Sequence, residues 1–562
     1  MTEMENTALL PTVLIALLLG GNGYSQKSSS DSCYNLLKAC DVLCEEKDEA
    51  MAIDLVTKQL GKTPDNVLAL LLRSQLLARN NDFGGALKDV NHALKVNASG
   101  KPEVANSMLH WWKGYIYRDM GESQKSAASF KTAYELAKKD DMDNLQNISF
   151  SYAQALFDLD DYDRADVIYK EILALDEASQ TAMVGLARNM ISRKQYDAAL
   201  DLLEKCRVYD DDYAEIYHYK MQAYDKLGKT NMAIDAGLDW FDKDEESEVE
   251  VIHDVLSKRP SYAEACLKSR ANWSGDPCRW KAFLCQFLDD THQYAKAVKA
   301  YDDYEAEFGE NALIKFYRSD CYCELGLYDR AIADITKAME DEPDWDCYCQ
   351  RGEYYRLSGD LDSAIADFTA AIDEIPDDFY AYYQRGWCYE MKGDRRKALE
   401  NYNLGLEMSE DYPFLYLMRG ELLLLEGNRK AALEDFETVI QKDTLVEEGS
   451  CRHYALHFLG RDKEAEEWLD KIIASDPKNP GHYYDRACLY ARMGRLDESI
   501  AALYMSLEKG CRRFQHIRMD DDLDPIRDKT EFKALLEEYE RIHAAFLNEF
   551  ELSMQAKTLH QA

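Results

Sequence analysis

The chain has 562 residues, and its 105 Asp and Glu residues outnumber its 67 Lys and Arg residues, which gives a formal net charge of −38. Hydrophobic residues make up 46% of the chain and proline only 11 positions, a composition that indicates a folded, almost entirely helical protein. The acidic field repels phosphates, which argues against nucleic acid and anionic lipid surfaces as partners. An acidic surface serves solubility, and it also favours basic partners.

The N-terminus carries the pattern of an export signal. The run ALLPTVLIALLL, from Ala8 to Leu19, is apolar throughout but too short to span a membrane. Gly23 and Ser25 follow as the small residues of a cleavage site, so residues 1–25 are predicted to be a signal peptide, removed on export to the periplasm or cell envelope. No membrane insertion is expected after its removal. Because MTEMEN lacks Lys and Arg, the alternative is a first buried helix of a cytoplasmic protein.

One frame of residues recurs along the chain. YCQRGEYYRLSGDLDSAIADF begins at Tyr348, and YYQRGWCYEMKGDRRKALENY begins at Tyr382, with Gly352 and Gly386 at the same place in each copy. This frame resembles the tetratricopeptide repeat (TPR), in particular the arrays of exported bacterial proteins, and the resemblance implies an all-α superhelical solenoid of helix-turn-helix units. A small residue marks the second helix of each repeat: Ala52, Ala86, Ser126, Ala165, Ala199, Ala233, Ala297, Ala331, Ala364, Ala398, Ala432, Ala465 and Ser499.

This register predicts thirteen repeats, with room for a fourteenth around Ala263. Accordingly, residues 26–32 are predicted to be a polar linker, 33–240 an N-terminal array, 241–280 a degenerate repeat or junction, 281–510 a C-terminal array, and 511–562 capping helices and a tail. The last segment leaves the frame and resembles the tails that close such arrays, whose last apolar face must be covered.

Enzyme chemistry finds little support in the sequence. The sequence contains no phosphate-cradling loop, no G-x-S-x-G and no Asp-Thr-Gly or Asp-Ser-Gly. Cys451, His453 and His457 lie close together but have no fourth ligand at metal spacing, and most cysteines are interpreted as small buried hydrophobes. We therefore expect no enzyme activity, no cofactor and no bound metal.

Binding of a protein or peptide is the remaining expectation. The resemblance to TPR proteins implies that positions 2, 5, 9, 12 and 13 of each first helix line a concave groove. Large side chains at these positions are predicted to contact the ligand: Trp111, Tyr115, Phe150, Phe157, Phe316, Tyr380, Tyr383, Trp387, Phe414, Leu417, Tyr454 and Tyr484. Glu353, Glu390 and Glu421 form a rim. The alternative for each aromatic residue is packing against the neighbouring first helix.

The resemblance also excludes one ligand class. TPR domains that bind acidic chaperone C-terminal tails share a carboxylate clamp, with Lys or Arg at position 5 or Asn at position 9, and no repeat of this chain carries it. The sequence therefore predicts a non-enzymatic scaffold for another protein or peptide. The alternative is a regulatory or accessory subunit of an enzyme or envelope complex, with the chemistry on the partner.

A column of arginines replaces the leucine of the family frame. At one fixed spacing, an acidic or amide residue follows five of these arginines: Arg73 with Asp89, Arg318 with Asp334, Arg351 with Asp367, Arg419 with Asp435, and Arg385 with Asn401. Such spacing predicts an ion-pair ladder between the first and second helices of a repeat. The alternative is a stripe of free guanidinium groups that would bind an acidic ligand.

Overall fold

The computed structural model describes residues 49–99, 104–244, 246–273, 275–340, 344–446 and 449–561. Within these ranges the chain is helical and contains no β-strand, as the sequence predicts. The predicted signal peptide, the polar linker and residues 33–48 lie outside the described ranges. Among the described helices, none combines the length and apolarity needed to cross a membrane.

The chain divides into two compact units, with the boundary between Arg259 and Pro260. The helices of the first unit are α1 (Glu49–Lys62), α2 (Val67–Arg79), α3 (Phe83–Ser99), α4 (Asn106–Asp119), α5 (Ser123–Asp140), α6 (Leu145–Phe157), α7 (Tyr162–Leu175), α8 (Gln180–Ser192), α9 (Tyr196–Tyr209), α10 (Glu215–Lys226), α11 (Thr230–Lys243) and α12 (Val249–Leu256).

The second unit contains the more regular repeats and the C-terminal segment. Its helices are α13 (Pro260–Trp273), α14 (Pro277–Asp290), α15 (Tyr294–Phe308), α16 (Ala312–Glu324), α17 (Tyr328–Ala338), α18 (Trp345–Ser358), α19 (Leu361–Glu374), α20 (Phe379–Met391), α21 (Arg395–Met408), α22 (Pro413–Leu425), α23 (Arg429–Lys442), α24 (Arg452–Phe458), α25 (Asp462–Ser475), α26 (Pro480–Arg492), α27 (Leu496–Lys509), α28 (Phe514–Met519), a 3₁₀ turn (Asp521–Leu523), α29 (Asp524–Arg527) and α30 (Thr530–Gln561).

Each hairpin is held together by the residues of the repeat frame. A Cβ placed on Gly352 of α18 would lie 2.9 Å from the Phe368 ring of α19, so only glycine allows this close approach. Gly359 ends α18 in the left-handed conformation, with φ of 90°. Ala364 is fully buried, and the equivalent small residue of each other hairpin is buried too. The predicted repeat register is confirmed.

The arginine column forms the predicted ladder. Arg351 Nε and Nη2 each donate to the Asp367 carboxylate at 2.8 Å, and the carboxylates paired with Arg73, Arg318 and Arg419 accept at 2.6–3.1 Å. Arg385 donates to Asn401 at 2.8 Å. The Nη1 of Arg351 reaches back to Thr336 of the preceding hairpin at 3.2 Å. The arginines therefore join neighbouring repeats as well as the two helices of one repeat, and the acidic-ligand alternative is wrong for these residues.

The C-terminal segment closes the second unit and then turns back along it. Ile517, Leu523 and Ile526 are fully buried and pack with α26 and α27, as do Phe532 and Leu536 of α30. Farther along α30, the His543 ring lies 2.9 Å from the Leu325 carbonyl, Arg330 donates to Glu551 at 2.8 Å, and the Lys299 ammonium lies over the Phe550 ring. The segment thus contacts helices at both ends of the second array.

Candidate functional site

In the second unit, first helices from separate repeats share one face. We call it the first-helix face and define it by Glu324 of α16, Glu353 of α18, Trp387 of α20, Glu421 of α22 and Tyr484 of α26. The repeat length returns each helix position to the same side of the array, and positions 5, 9 and 13, which Tyr484, Trp387 and Glu324 occupy, share one side of a helix because they are four residues apart. Residues 512–523, which we call the tail from here on, contact α16, α20 and α26 and so connect these helices.

An aromatic wall lies at the middle of the first-helix face. The Tyr383 ring centroid lies 5.4 Å from Tyr412, 6.1 Å from Phe414, 6.1 Å from Trp387 and 6.3 Å from Tyr380. Tyr383 is 6% exposed, and burial holds its pKa well above the ordinary value. We use the name aromatic wall for Tyr380, Tyr383, Trp387, Tyr412 and Phe414, whose rings contact one another at the distances that aromatic pairs prefer.

Trp387 carries a cation on one side and meets the tail on another. The Arg356 guanidinium lies 3.9 Å from the indole, a cation–π geometry. The imidazole of His516 meets the same indole edge-on, with centroids 6.3 Å apart, and lies 5.7 Å from the Tyr484 ring. Burial, together with the nearby Arg356 and Arg513, lowers the pKa of His516 to about 3, so the ring is neutral at physiological pH.

An ion pair fixes the start of the tail at the acidic end of the face. Arg513 Nη2 donates to the Glu324 carboxylate at 2.6 Å. Burial alone would lower the pKa of Arg513, but the carboxylates of Glu324 and Glu353 outweigh it and raise the pKa. The pair is only partly buried, with side chains 43% and 32% exposed, so its main effect is to position Arg513 on the face.

The opposite end of the face presents a cation to the tail. Arg492 of α26 donates to Glu421 at 2.8 Å and to Asp522 at 2.6 Å. The Tyr484 hydroxyl donates to Asp520 at 2.6 Å. Burial is the main cause that raises the pKa of Asp522 to about 6, against the opposing effect of Arg492. The tail is therefore matched in charge to the face, with Arg513 at the acidic end and Asp522 at the cationic end.

Carboxyl groups remain in excess on the face. Burial raises the pKa of Glu390 to about 7, and its carboxyl accepts from the neutral Tyr402 hydroxyl at 2.8 Å. Burial likewise raises the pKa of Asp289 to about 7, next to Asp320 and Glu324. Asp320 accepts from the Tyr354 hydroxyl at 2.7 Å. Glu390 and Asp320 therefore accept hydrogen bonds from neutral tyrosine hydroxyls, whereas Glu324 and Glu421 pair with arginines.

One cluster on the face has ligand types that metals use. Cys488 Sγ and carboxylate oxygens of Asp520 and Asp522 lie within 4.8 Å of one another. Arg492 already bonds Asp522, and Tyr484 already bonds Asp520, so protein donors satisfy both carboxylates. His453, which the sequence places near Cys451 and His457, is fully buried against the Tyr454 ring. The expectation of no bound metal stays a prediction.

The predicted contact residues divide by burial. Trp111, Tyr115, Tyr383 and Leu417 are at most 8% exposed, which makes them supports of the surface rather than the surface itself. Trp111 and Tyr115 both hydrogen-bond Ser151 at 2.8 Å, across the interface of α4 with α6. For these four residues the packing alternative explains the position, because a buried side chain offers little area to a ligand.

The other eight predicted residues are half-buried, and two of them meet the chain's own tail. They are Phe150, Phe157, Phe316, Tyr380, Trp387, Phe414, Tyr454 and Tyr484. Trp387 and Tyr484 contact His516, whereas Phe157 in the first unit lies under the Arg188 guanidinium at 3.6 Å. Their binding of a partner stays a prediction.

Sequence reasoning named the rim glutamates but missed the charges that dock the tail. Glu324 and Arg492 occupy position 13 of their first helices, and Arg356 occupies position 12, within the register that marks the groove. Considering charged as well as aromatic residues at those positions would have found them. Arg513 and His516 lie outside the repeat frame and carry no such signal.

Comparison with known proteins identifies one repeat family. Models of the tetratricopeptide repeat match residues 109–140, 156–230, 288–343, 349–414 and 468–501. A chloroplastic protein of Arabidopsis thaliana is 29% identical over 93 residues, which span 16% of this chain and 27% of that protein. The matched segment is thus a minor part of either protein.

Solved structures of low identity resemble parts or most of the chain. MamA from Desulfovibrio magneticus RS-1 is 17% identical, with 30% of this chain and 95% of that chain covered and a TM-score of 0.28. YrrB, described as a TPR protein with an unusual peptide-binding site, is 15% identical, with coverages of 36% and 96% and a TM-score of 0.27. Yeast Tom70 is 14% identical, with coverages of 81% and 99% and a TM-score of 0.37.

Proposed function

The chain is a tetratricopeptide repeat protein, and from that premise we propose that it is a non-enzymatic scaffold that binds a protein or peptide through the concave first-helix face of the second unit. A repeat array gives each successive hairpin the same side chain positions, so it builds a long surface suited to an extended or helical segment. The aromatic wall offers apolar area at low rotamer cost, and the charges around it give register.

The observation that carries this proposal is that the face already holds a protein segment. Residues 512–523 lie on it through an ion pair at Glu324, ring contacts at Trp387 and Tyr484, and a second ion pair at Arg492. A surface that fits a segment of its own chain has the shape and chemistry to fit a partner segment. The half-buried Tyr380 and Phe414 of the aromatic wall are proposed contact residues for the partner.

We propose that the protein works outside the cytoplasm, after cleavage behind Ser25. The support is the sequence alone, namely the apolar run before Gly23 and Ser25. Mass spectrometry of the native protein would detect a mature N-terminus at Gln26. A native protein that starts at Met1 or Thr2 would show that the export proposal is wrong and would favour a cytoplasmic scaffold.

Site-specific crosslinking in the native cell tests the binding function. A benzophenone amino acid at Tyr380 or Phe414 should crosslink to one defined protein, whereas the same group at Tyr504, 45% exposed on the second helix α27, should not. The Tyr504 control reports collisions with abundant proteins. Equal crosslinking patterns at the two kinds of position would refute a binding role for the first-helix face.

A further inference from the structure

We infer that the Arg513, His516 and Asp522 side chains of residues 512–523 are a built-in ligand of the first-helix face, and that the face binds in their place a partner segment with Arg at its start, an aromatic ring three residues later and a carboxylate about six residues after that. The inference rests on the proposed scaffold function and names the partner chemistry for the same face. Three observations support it: the residues that the tail contacts, the distance of those contacts from the end of the array, and the carboxyls of the face that the tail does not pair with a cation.

The side chains of the tail make two kinds of contact. Ile517, Leu523 and Ile526 are fully buried against the last hairpin, and this apolar contact covers the end of the array. Arg513 pairs instead with Glu324 of α16, several repeats back along the face, and His516 joins Trp387 of α20 to Tyr484 of the last hairpin. Polar and ring contacts so far from the end have the character of ligand recognition.

The face recognises three features of the segment in order. The carboxylate of Glu324 accepts from Arg513, and Glu353 adds a second negative charge there. Trp387 and Tyr484 hold the neutral ring of His516 between them. Arg492 then binds Asp522, nine residues after Arg513 in the sequence. Arginine, ring and carboxylate in this spacing are the chemistry the face selects.

The fit of the tail is incomplete, which leaves room for a better ligand. Arg512, the other cation at the start, directs its Nη1 to the carbonyls of Leu507 and Cys511. Asp320, one turn before Glu324 on α16, accepts from the neutral Tyr354 hydroxyl at 2.7 Å, at the end of the face where Arg513 docks, and Asp289 lies nearby. A partner segment with further cations before its arginine would meet these carboxyls, and these additional contacts would let it compete with a tail that its covalent link holds at high effective concentration.

Two peptides and three forms of the full-length chain test this inference. The first probe is a fluorescein-labelled peptide of residues 512–523, RRFQHIRMDDDL, with a scrambled peptide of the same composition as its control. The second probe carries two additional N-terminal lysines. The chains are the wild type, Arg513→Ala/His516→Ala, and a matched control, Arg461→Ala, which removes an exposed cation paired with Glu464 on α25.

We expect the double variant to bind the first probe at least about tenfold more tightly than the wild type or Arg461→Ala. Its own tail no longer fills the positions of Arg513 and His516 on the face, so the probe meets no tethered competitor there. Adding Glu324→Gln and Trp387→Ala to it should abolish that gain, the scrambled peptide should bind weakly, and the lysine-extended probe should bind several-fold more tightly than the first. Failure of the double variant to exceed Arg461→Ala, or binding that survives loss of Glu324 and Trp387, would overturn the inference.

Hydrogen exchange on the wild type keeps the test independent of any variant's folding. Residues 512–519 should exchange faster than α26 and α27, because a displaceable ligand opens without unfolding the array. Exchange at the same rate as α26 would mean that the tail is a fixed part of the fold and would overturn the inference. A wild-type dimer by light scattering whose tails sit on the partner copy would overturn it as well.

The two proposals fail differently. The double variant could bind the peptide while native crosslinks favour Tyr504 over Tyr380. That result would support the ligand chemistry proposed for the face but refute the proposal that a cellular partner uses it. Defined crosslinks at Tyr380, combined with peptide binding that ignores Glu324, would keep the scaffold function and reject the tail as its ligand.

Discussion

The imidazole of His516 stands edge-on to the indole of Trp387, with ring planes at 85° and centroids 6.3 Å apart. The contact joins the C-terminal segment to the first helix of a repeat in the middle of the second array. The adjacent Tyr383 ring, 6.1 Å from the same indole, is buried inside the wall. Two neighbouring aromatic residues therefore have different roles, one at the surface of the wall and one within it.

Alanine substitutions should separate these roles. Tyr383→Ala removes a 6%-exposed ring and should lower the free energy of unfolding of the second array by about 3 kcal/mol or more. Trp387→Ala should cost less stability but should speed hydrogen exchange of residues 512–519, because His516 loses its ring partner. Denaturant unfolding and exchange mass spectrometry check the two effects.

Tyr317, which is 39% exposed on α16, supplies a control for loss of a large ring, and Tyr317→Ala should change neither quantity. If Trp387→Ala leaves the exchange of residues 512–519 unchanged, the indole does not hold the tail. If Tyr383→Ala is as mild as Tyr317→Ala, the wall is not a folding element.

Two left-handed glycines allow a second test of tail docking. A Cβ on Gly326 would lie 3.3 Å from the Arg512 carbonyl oxygen and 3.7 Å from the His543 ring, whereas a Cβ on Gly393 would meet nothing within 4 Å. Both positions have positive φ, 69° and 77°, so alanine strains the backbone at each. Gly326→Ala should therefore loosen residues 511–519 and α30 in hydrogen exchange beyond any effect of Gly393→Ala. Equal exchange in the two variants would contradict close tail packing at Gly326.

The hairpins were predictable because their contacts are local and repeat. Gly352 meets Phe368 and Arg351 meets Asp367 at the same sequence separation, so a single register fixes glycine, aromatic ring and ion pair in copy after copy. A pattern repeated at regular intervals states the same geometry many times, which protects the prediction from error in any one copy.

The tail contacts were not predictable in that way. Arg513 pairs with Glu324, 189 residues earlier, and His543 meets the Leu325 carbonyl 218 residues earlier. Neither pair has a period or a second copy in the sequence, and a single Arg in a non-repeating segment matches any acidic position equally well. The curvature of the array decides which one it meets, and curvature is a sum of small packing angles that residue types alone do not fix.

The arginine ladder should make a measurable contribution to stability. Asp367→Ala removes a 9%-exposed carboxylate bonded twice by Arg351, and leaves a largely buried guanidinium without its partner, which should cost about 2 kcal/mol. The exposed pair of Lys430 with Glu434 provides the control, since Glu434→Ala should cost at most about 0.5 kcal/mol. Urea unfolding of both variants compares them, and similar small losses would show that the ladder sets geometry without stabilising the repeats.

Glu390 should make the second array less stable at alkaline than at acid pH. Burial raises the pKa of its carboxyl from 4.5 to about 7, with Glu421 and Asp521 acting in the same direction and Tyr402 and Arg492 opposing. A carboxyl whose pKa is higher in the folded than in the unfolded state favours the neutral form, so its stabilising contribution is fully present below pH 4.5 and is lost as the pH rises through about 7.

Glu390→Gln keeps a neutral side chain at all pH values, and should therefore raise the unfolding midpoint at pH 8 but leave it nearly unchanged at pH 5. Glu434→Gln, at the exposed control position, should give no such pH-dependent difference, and a gain for Glu390→Gln that is equal at both pH values would show that the Glu390 carboxyl does not titrate in this range.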